Sequence, residues 1–158
     1  MKKIGVIGLG NPLRHDDGLG IVLLESAREN RNEFPEHIEF VDGGTGGITL
    51  LHLLARFDVV LLIDAVLFNG QPGETRFFQR DELLTKTPRM KMSTHEVNLL
   101  QILHLSRQLN ELPSQLFLFG VQPNDFSYET DLSPELQSSF PLIYRKLAQR
   151  IQALDNLS

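Results

Sequence analysis

The 158-residue chain contains no cysteine. Disulfides, thiolate zinc sites and a cysteine nucleophile are thereby excluded, and any metal must be met by oxygen and imidazole. Positive charge is in short supply, with 15 Lys+Arg against 20 Asp+Glu and a net charge of -5. That balance argues against nucleic acid or an anionic membrane as the main partner. Long apolar runs are also missing. The opening run from Ile4 to Gly8 ends too early for a secretory segment or a membrane span, so a cytoplasmic protein is expected. Internal repeats, low-complexity tracts and linkers are absent as well. With 41% hydrophobic and 22% charged residues, the length suits one domain with a full core, residues 1–158, expected as a monomer.

What is present is a series of short apolar runs at Ile4–Ile7, Ile38–Val41, Val59–Ile63 and Leu116–Val121. None alternates cleanly, as befits strands buried on both faces. Helical patterns separate them: Leu19, Val22, Leu23 and Ala27 mark a first helix, and Leu50, Leu51 and Leu54 a short second one. Pro72-Gly73 followed by Glu74–Gln79 reads as an antiparallel edge strand. Ser93 through Glu96 fits a capping box ahead of a helix bearing Leu99, Leu100, Ile102 and Leu103, which puts His95 in its first turn. Near the end, Ser133-Pro134 starts a helical turn, Pro141 restarts it, and Ile143, Leu147, Ile151 and Leu154 form a stripe. The βαβα order predicts an α/β fold, a three-layer α/β/α sandwich whose mostly parallel sheet has about five strands with one antiparallel edge.

In such sheets ligands gather beyond the carboxyl ends of the strands. Asn11 and Asp16-Asp17 follow the first strand, Asp42-Gly43-Gly44-Thr45 the second, Asp64 ends the third and Gln122 follows the last. Two acids at the start of a helix oppose the phosphate binding that Gly8 and Gly10 would otherwise suggest. Asp64 closes an apolar stretch, where a carboxylate needs a charged compensator such as a metal ion. Asp17, Asp64 and His95 supply two oxygens and a nitrogen, compatible with nickel or zinc, and leave coordination positions open. Blander readings stand beside these. Asp16 or Asp17 could cap the first helix, Asp64 could be a buried acid satisfied by backbone donors, and the glycines after Asp42 could serve only a tight turn.

Taken together, Gly8-x-Gly10-Asn11-x-Leu13-x-x-Asp16-Asp17-Gly18-x-Gly20, Asp42-Gly43-Gly44-Thr45, Ile63-Asp64-Ala65 and Ser93-x-His95 resemble the nickel–iron hydrogenase maturation endopeptidases along almost the whole chain. The resemblance implies a peptidase that removes a C-terminal extension from the hydrogenase large-subunit precursor after nickel insertion. Asp17, Asp64 and His95 would be the nickel-contacting set, the nickel being supplied by the precursor and held weakly by the isolated enzyme. Some relatives carry Glu at the position of Asp17. A carboxylate near a cation can activate water, which makes Asp16 and Asp42 the candidates for that role. The loop after Gln122 would bind the substrate tail. No Ser sits on a nucleophile elbow, so a Ser/His/Asp triad is not expected.

Two rivals share parts of the pattern. A peptidyl-tRNA-hydrolase-like esterase also opens with Gly-Leu-Gly-Asn-Pro, but the adjacent acids would repel a tRNA backbone. A dinucleotide-binding Rossmann module would begin at Gly8 and Gly10, yet Leu13 stands where its third glycine belongs.

Overall fold

A computed structural model describes residues 1–11, 13, 15–85, 91–92, 96–124 and 131–157. Five strands form the main path of a sheet in the order β2-β1-β3-β6-β4: β1 (Ile4–Gly8), β2 (Ile38–Asp42), β3 (Val59–Leu67), β4 (Thr75–Gln79) and β6 (Gln115–Val121). Strands β1, β2, β3 and β6 are parallel, and β4 runs antiparallel to β6 at the edge, as its Pro-Gly approach foretold. A two-residue β5 (Lys91–Met92) adds to the end of β3.

Helices cover both faces because both faces of the central strands are apolar. Val59, Leu61 and Ile63 of β3 pack with α1 (Leu19–Glu29) and α5 (Pro134–Leu154). Val60, Leu62 and Val66 pack instead with α2 (Ile48–Leu54), α3 (Arg80–Thr85) and α4 (Glu96–Gln108). Each buried Leu, Ile or Val stabilises the fold by about 1.5–3 kcal/mol relative to exposure.

The structure departs from the sequence reading in four places. β3 does not stop at Ile63; it continues to Leu67, held by β6 through Asp64↔Gly120 and Ala65↔Val121 and then by β5. Asp64 therefore lies inside the strand, at the first position beyond the last β1 pair, Gly8↔Ile63. The second departure is α5, a single 21-residue helix that runs through Pro141. An interior proline costs roughly 3 kcal/mol, but the buried stripe of Leu136, Ile143, Leu147, Ile151 and Leu154 continues on both sides and outweighs it. Third and fourth, α3 and β5 are additional elements, too short for periodicity to reveal. Of the capping box of Ser93 and Glu96, Ser93 lies outside the described residues, as does His95; α4 is described over Glu96–Gln108.

The strand order reverses beside β1, since the chain leaves β1 for β2 on one side and returns to β3 on the other. This is the topological switch point of an open α/β sheet. Glycines let α1 approach it. A Cβ on Gly20 would lie 2.1 Å from the Leu9 carbonyl oxygen and 2.4 Å from that of Ile63. Gly20→Ala should therefore force α1 off both strand ends and lower stability by at least about 1–3 kcal/mol, measurable by urea denaturation; unchanged stability would contradict the close approach.

Candidate functional site

The crevice is built by the turn between β1 and α1. Gly10 adopts φ 139°, open to glycine but not to side-chain-bearing residues, and a Cβ there would collide with the Asp17 carbonyl oxygen at 2.1 Å. The Asn11 N–H donates to that same carbonyl at 3.2 Å, while the Leu13 N–H donates to Asn11 Oδ1 at 3.0 Å. The chain thus folds back into a short 3-10 turn, His15–Gly18, which carries both aspartates and packs against β3. Leu9 N–H donates to the Ile63 carbonyl at 2.8 Å, which fastens the end of β1 immediately before Asp64.

Three carboxylates are buried at this end of the sheet: Asp16 and Asp17 are 0% exposed and Asp64 3%. Such burial is rare for acids and requires compensation by donors or cations. Asp64 Oδ1 accepts the Ala65 N–H at 2.8 Å. By strand alternation Asp64 shares the face of Val60, Leu62 and Val66, the face that α4 covers. Asp17 lies on the 3-10 turn His15–Gly18, three residues before Gly20 meets the Ile63 carbonyl.

Asp16 has a distinct setting. Its Oδ1 accepts the Ser133 N–H at 2.7 Å, and its Oδ2 accepts the Ser133 hydroxyl and the Asn124 N–H, both at 2.8 Å. Ser133 is the N-cap residue of α5, so the Asp16 charge also lies at the positive end of that helix dipole. Neither aspartate occupies the N-cap of α1; Gly18 does. The capping reading therefore fails for the first helix, and Asp16 instead joins the β1 turn to the far end of the chain.

Asp42 is exposed, and its Oδ1 accepts the Gly44 N–H at 2.7 Å. That bond closes a tight turn, while Gly10 N–H to the Gly44 carbonyl and Gly43 N–H to the Gly8 carbonyl, both 2.8 Å, stitch the β1 and β2 loops together. Gln122 is buried, and its Oε1 accepts the N–H groups of Phe68 (2.8 Å) and Gly70 (3.2 Å), bracing the β3–β4 connection. His95 lies outside the described residues, as does 125–130 of the loop after Gln122. Among the described residues there is no cluster of three or more His, Cys, Asp or Glu placed to hold a metal by themselves. The structure buries Asp17 and Asp64 at the same end of the sheet, one on the turn before α1 and one within β3, and sets Asp42 in a surface turn.

Sequence reasoning did not connect Ser133 and Asn124 with Asp16. They are 117 and 108 residues away from it, and the only local signal, Ser133 ahead of Pro134, reads as a helix start.

An α/β/α sandwich of this kind places its buried carboxylates at the switch point, where open α/β sheets bind ligands. A family model described as hydrogenase maturation protease matches residues 22–150. The chain is 32% identical over 152 residues to the hydrogenase 2 maturation protease of Escherichia coli K12, covering 96% of this chain and 90% of that one. It is also 32% identical over 123 residues to the hydrogenase expression/formation protein HupD of Bradyrhizobium diazoefficiens, covering 78% of this chain and 64% of that longer protein. The solved structure of the hydrogenase maturating endopeptidase HybD from E. coli superposes with a TM-score of 0.79 at 27% identity, covering 92% of this chain and 89% of that one. The chain belongs to the hydrogenase maturation protease family.

Replacing Ser133 by Ala removes one hydrogen bond to a buried charge and should cost about 1.5–3 kcal/mol in a denaturation titration. A loss below about 0.5 kcal/mol would show that Asp16 does not depend on this donor.

Proposed function

We propose that this protease removes the C-terminal extension of a nickel–iron hydrogenase large-subunit precursor once nickel is in place, and that the precursor's nickel is what it recognises. The observation that supports this reading is the burial of Asp17 and Asp64, both at the switch-point end of the sheet. Two buried carboxylates without thiolates make a modest site for a borderline cation, suited to sampling a metal that another protein already holds. His95, next to Glu96 in the sequence, completes the proposed contact set with a nitrogen donor.

In this reading the roles of the acids divide. Asp17 and Asp64 present oxygens to the nickel of the substrate and so orient the tail for hydrolysis, a gain that comes from positioning. Bound nickel supplies electrostatic polarisation of nearby carbonyl groups. Asp16, its oxygens occupied by Ser133 and Asn124, holds the turn that presents Asp17 and is a poorer candidate for activating water than the sequence suggests. Asp42, engaged with Gly44 at an exposed turn, shapes the neighbouring loop. Water supplies the hydroxyl to the new carboxylate and the proton to the released amine. The protein acts on its substrate as one domain and a monomer in the cytoplasm; among the described residues no helix is long and apolar enough to cross a membrane.

Incubation with nickel-loaded precursor should release a C-terminal peptide seen by mass spectrometry, and nickel-free precursor should stay intact. Asp17→Asn and Asp64→Asn should each lower the cleavage rate at least about 100-fold, since even residues that only support a metal ligand change affinity or activity 10–100-fold, with the far-UV circular dichroism unchanged. Equal cleavage of loaded and nickel-free precursor would refute the recognition role of nickel.

A further inference from the structure

The edge strand β4 carries charge that the crevice does not use. Among the described residues its one strand partner is β6, so its other edge faces away from the sheet. Cations flank that edge on both faces. On the α5 face, Arg150 lies over the Phe77 ring at 3.9 Å from the centroid, and Phe77 stacks on Phe117. Lys146 and Gln149 stand beside it, and together with Thr75, Phe77 and Phe119 these three residues line a cavity of about 380 Å³. On the opposite face, Arg76 lies over Phe78 at 5.3 Å and Phe68 at 5.9 Å.

Aromatic rings hold these guanidinium groups in place without neutralising them. Arg28 and Arg56 pair with Glu25 and Glu39, whereas among the described residues none of Arg76, Lys146 and Arg150 pairs with a carboxylate. A cluster of uncompensated positive charge in a chain of net charge -5 is a local field of the opposite sign, fitted to an acidic partner.

The strand register connects this edge to the crevice. Gly120 of β6 pairs with Asp64 on one side and with Arg76 on the other, so Asp64, Gly120 and Arg76 form one row across the sheet. With neighbouring strands about 4.8 Å apart, a strand added to β4 would run roughly 14 Å from β3. An extended chain leaving that edge reaches the crevice within about four or five residues.

We infer that the β4 edge is a docking surface for an extended acidic segment of the hydrogenase precursor, added as a further strand, with successive side chains pointing alternately to Arg150–Lys146 and to Arg76. Backbone bonds to β4 give the segment its register, and the flanking cations select acidic side chains. The same cations repel a second copy of this edge, which keeps the strand from pairing with itself. The inference rests on the protease reading above, because it takes the precursor as the occupant.

Steady-state cleavage of full-length nickel-loaded precursor at low ionic strength tests it, with wild type, Lys146→Glu, Arg150→Glu, Arg150→Lys and, as a control of equal charge change far from β4, Lys3→Glu. Lys146→Glu and Arg150→Glu should each raise KM about 10-fold or more with kcat unchanged, the difference should shrink as salt is added, and Arg150→Lys should stay near wild type. Lys146 is exposed, so its variant carries the test even if Arg150→Glu folds poorly. KM values for the two β4-flanking variants no higher than that of Lys3→Glu would overturn the docking surface while leaving the protease reading intact. A wild-type protein that leaves nickel-loaded precursor uncut would bring down both.

Discussion

The contact between Gly20 and the carbonyl oxygens of Leu9 and Ile63 is the constraint on which the rest of the site depends. A side chain at position 20 would stand within 2.1 and 2.4 Å of those oxygens. Its absence lets α1 begin directly against the ends of β1 and β3. The preceding 3-10 turn must then fit into the space left at the switch point, and Gly10 at φ 139° is what turns the chain back to do so. Two acids carried on that turn are buried with it. Their burial is a consequence of backbone packing, and their chemistry follows from the burial.

The two adjacent acids meet that situation differently. Asp16 is compensated from within, by Ser133 and Asn124 and by the start of α5. It ties the first βα turn to the last helix, so the two ends of the loop that follows β6 are fixed to the element that carries Asp17. Asp17 sits on the 3-10 turn that follows β1 and Asp64 within β3, and in the proposed function both present oxygens to a cation brought by the substrate. The β4 edge adds a second, cationic surface on the same sheet, linked to Asp64 through the row that Gly120 shares.

Most of this was legible in the sequence where one residue type has one physical use. Strands buried on both faces appear as unbroken apolar runs, and Asp64 stood out because it closes one. The doubled acid after a glycine-rich turn pointed away from phosphate and toward a cation, and the family resemblance built on these residues agrees with the family to which the chain belongs. What the sequence could not reveal depends on partners distant in the chain. The extension of β3 past Ile63 exists because Gly120 and Val121 are beside it. The role of Asp16 depends on Ser133, and periodicity carries no trace of a bond across 117 residues. Pro141 reads as a break locally, yet the buried stripe on either side carries α5 through it. Asp42 ends its strand, and the turn its carboxylate closes with the Gly44 N–H could not be read from the spacing.

A protease of this family that reads its substrate's metal must touch that metal during recognition. X-ray absorption at the nickel edge, recorded on nickel-loaded precursor alone and after mixing with the protein at a temperature that halts cleavage, observes this directly. The account predicts added oxygen and nitrogen scattering in the nickel shell on mixing with wild type, diminished with Asp64→Asn. A nickel spectrum unchanged by the wild-type protein under conditions where the two proteins co-elute would contradict it.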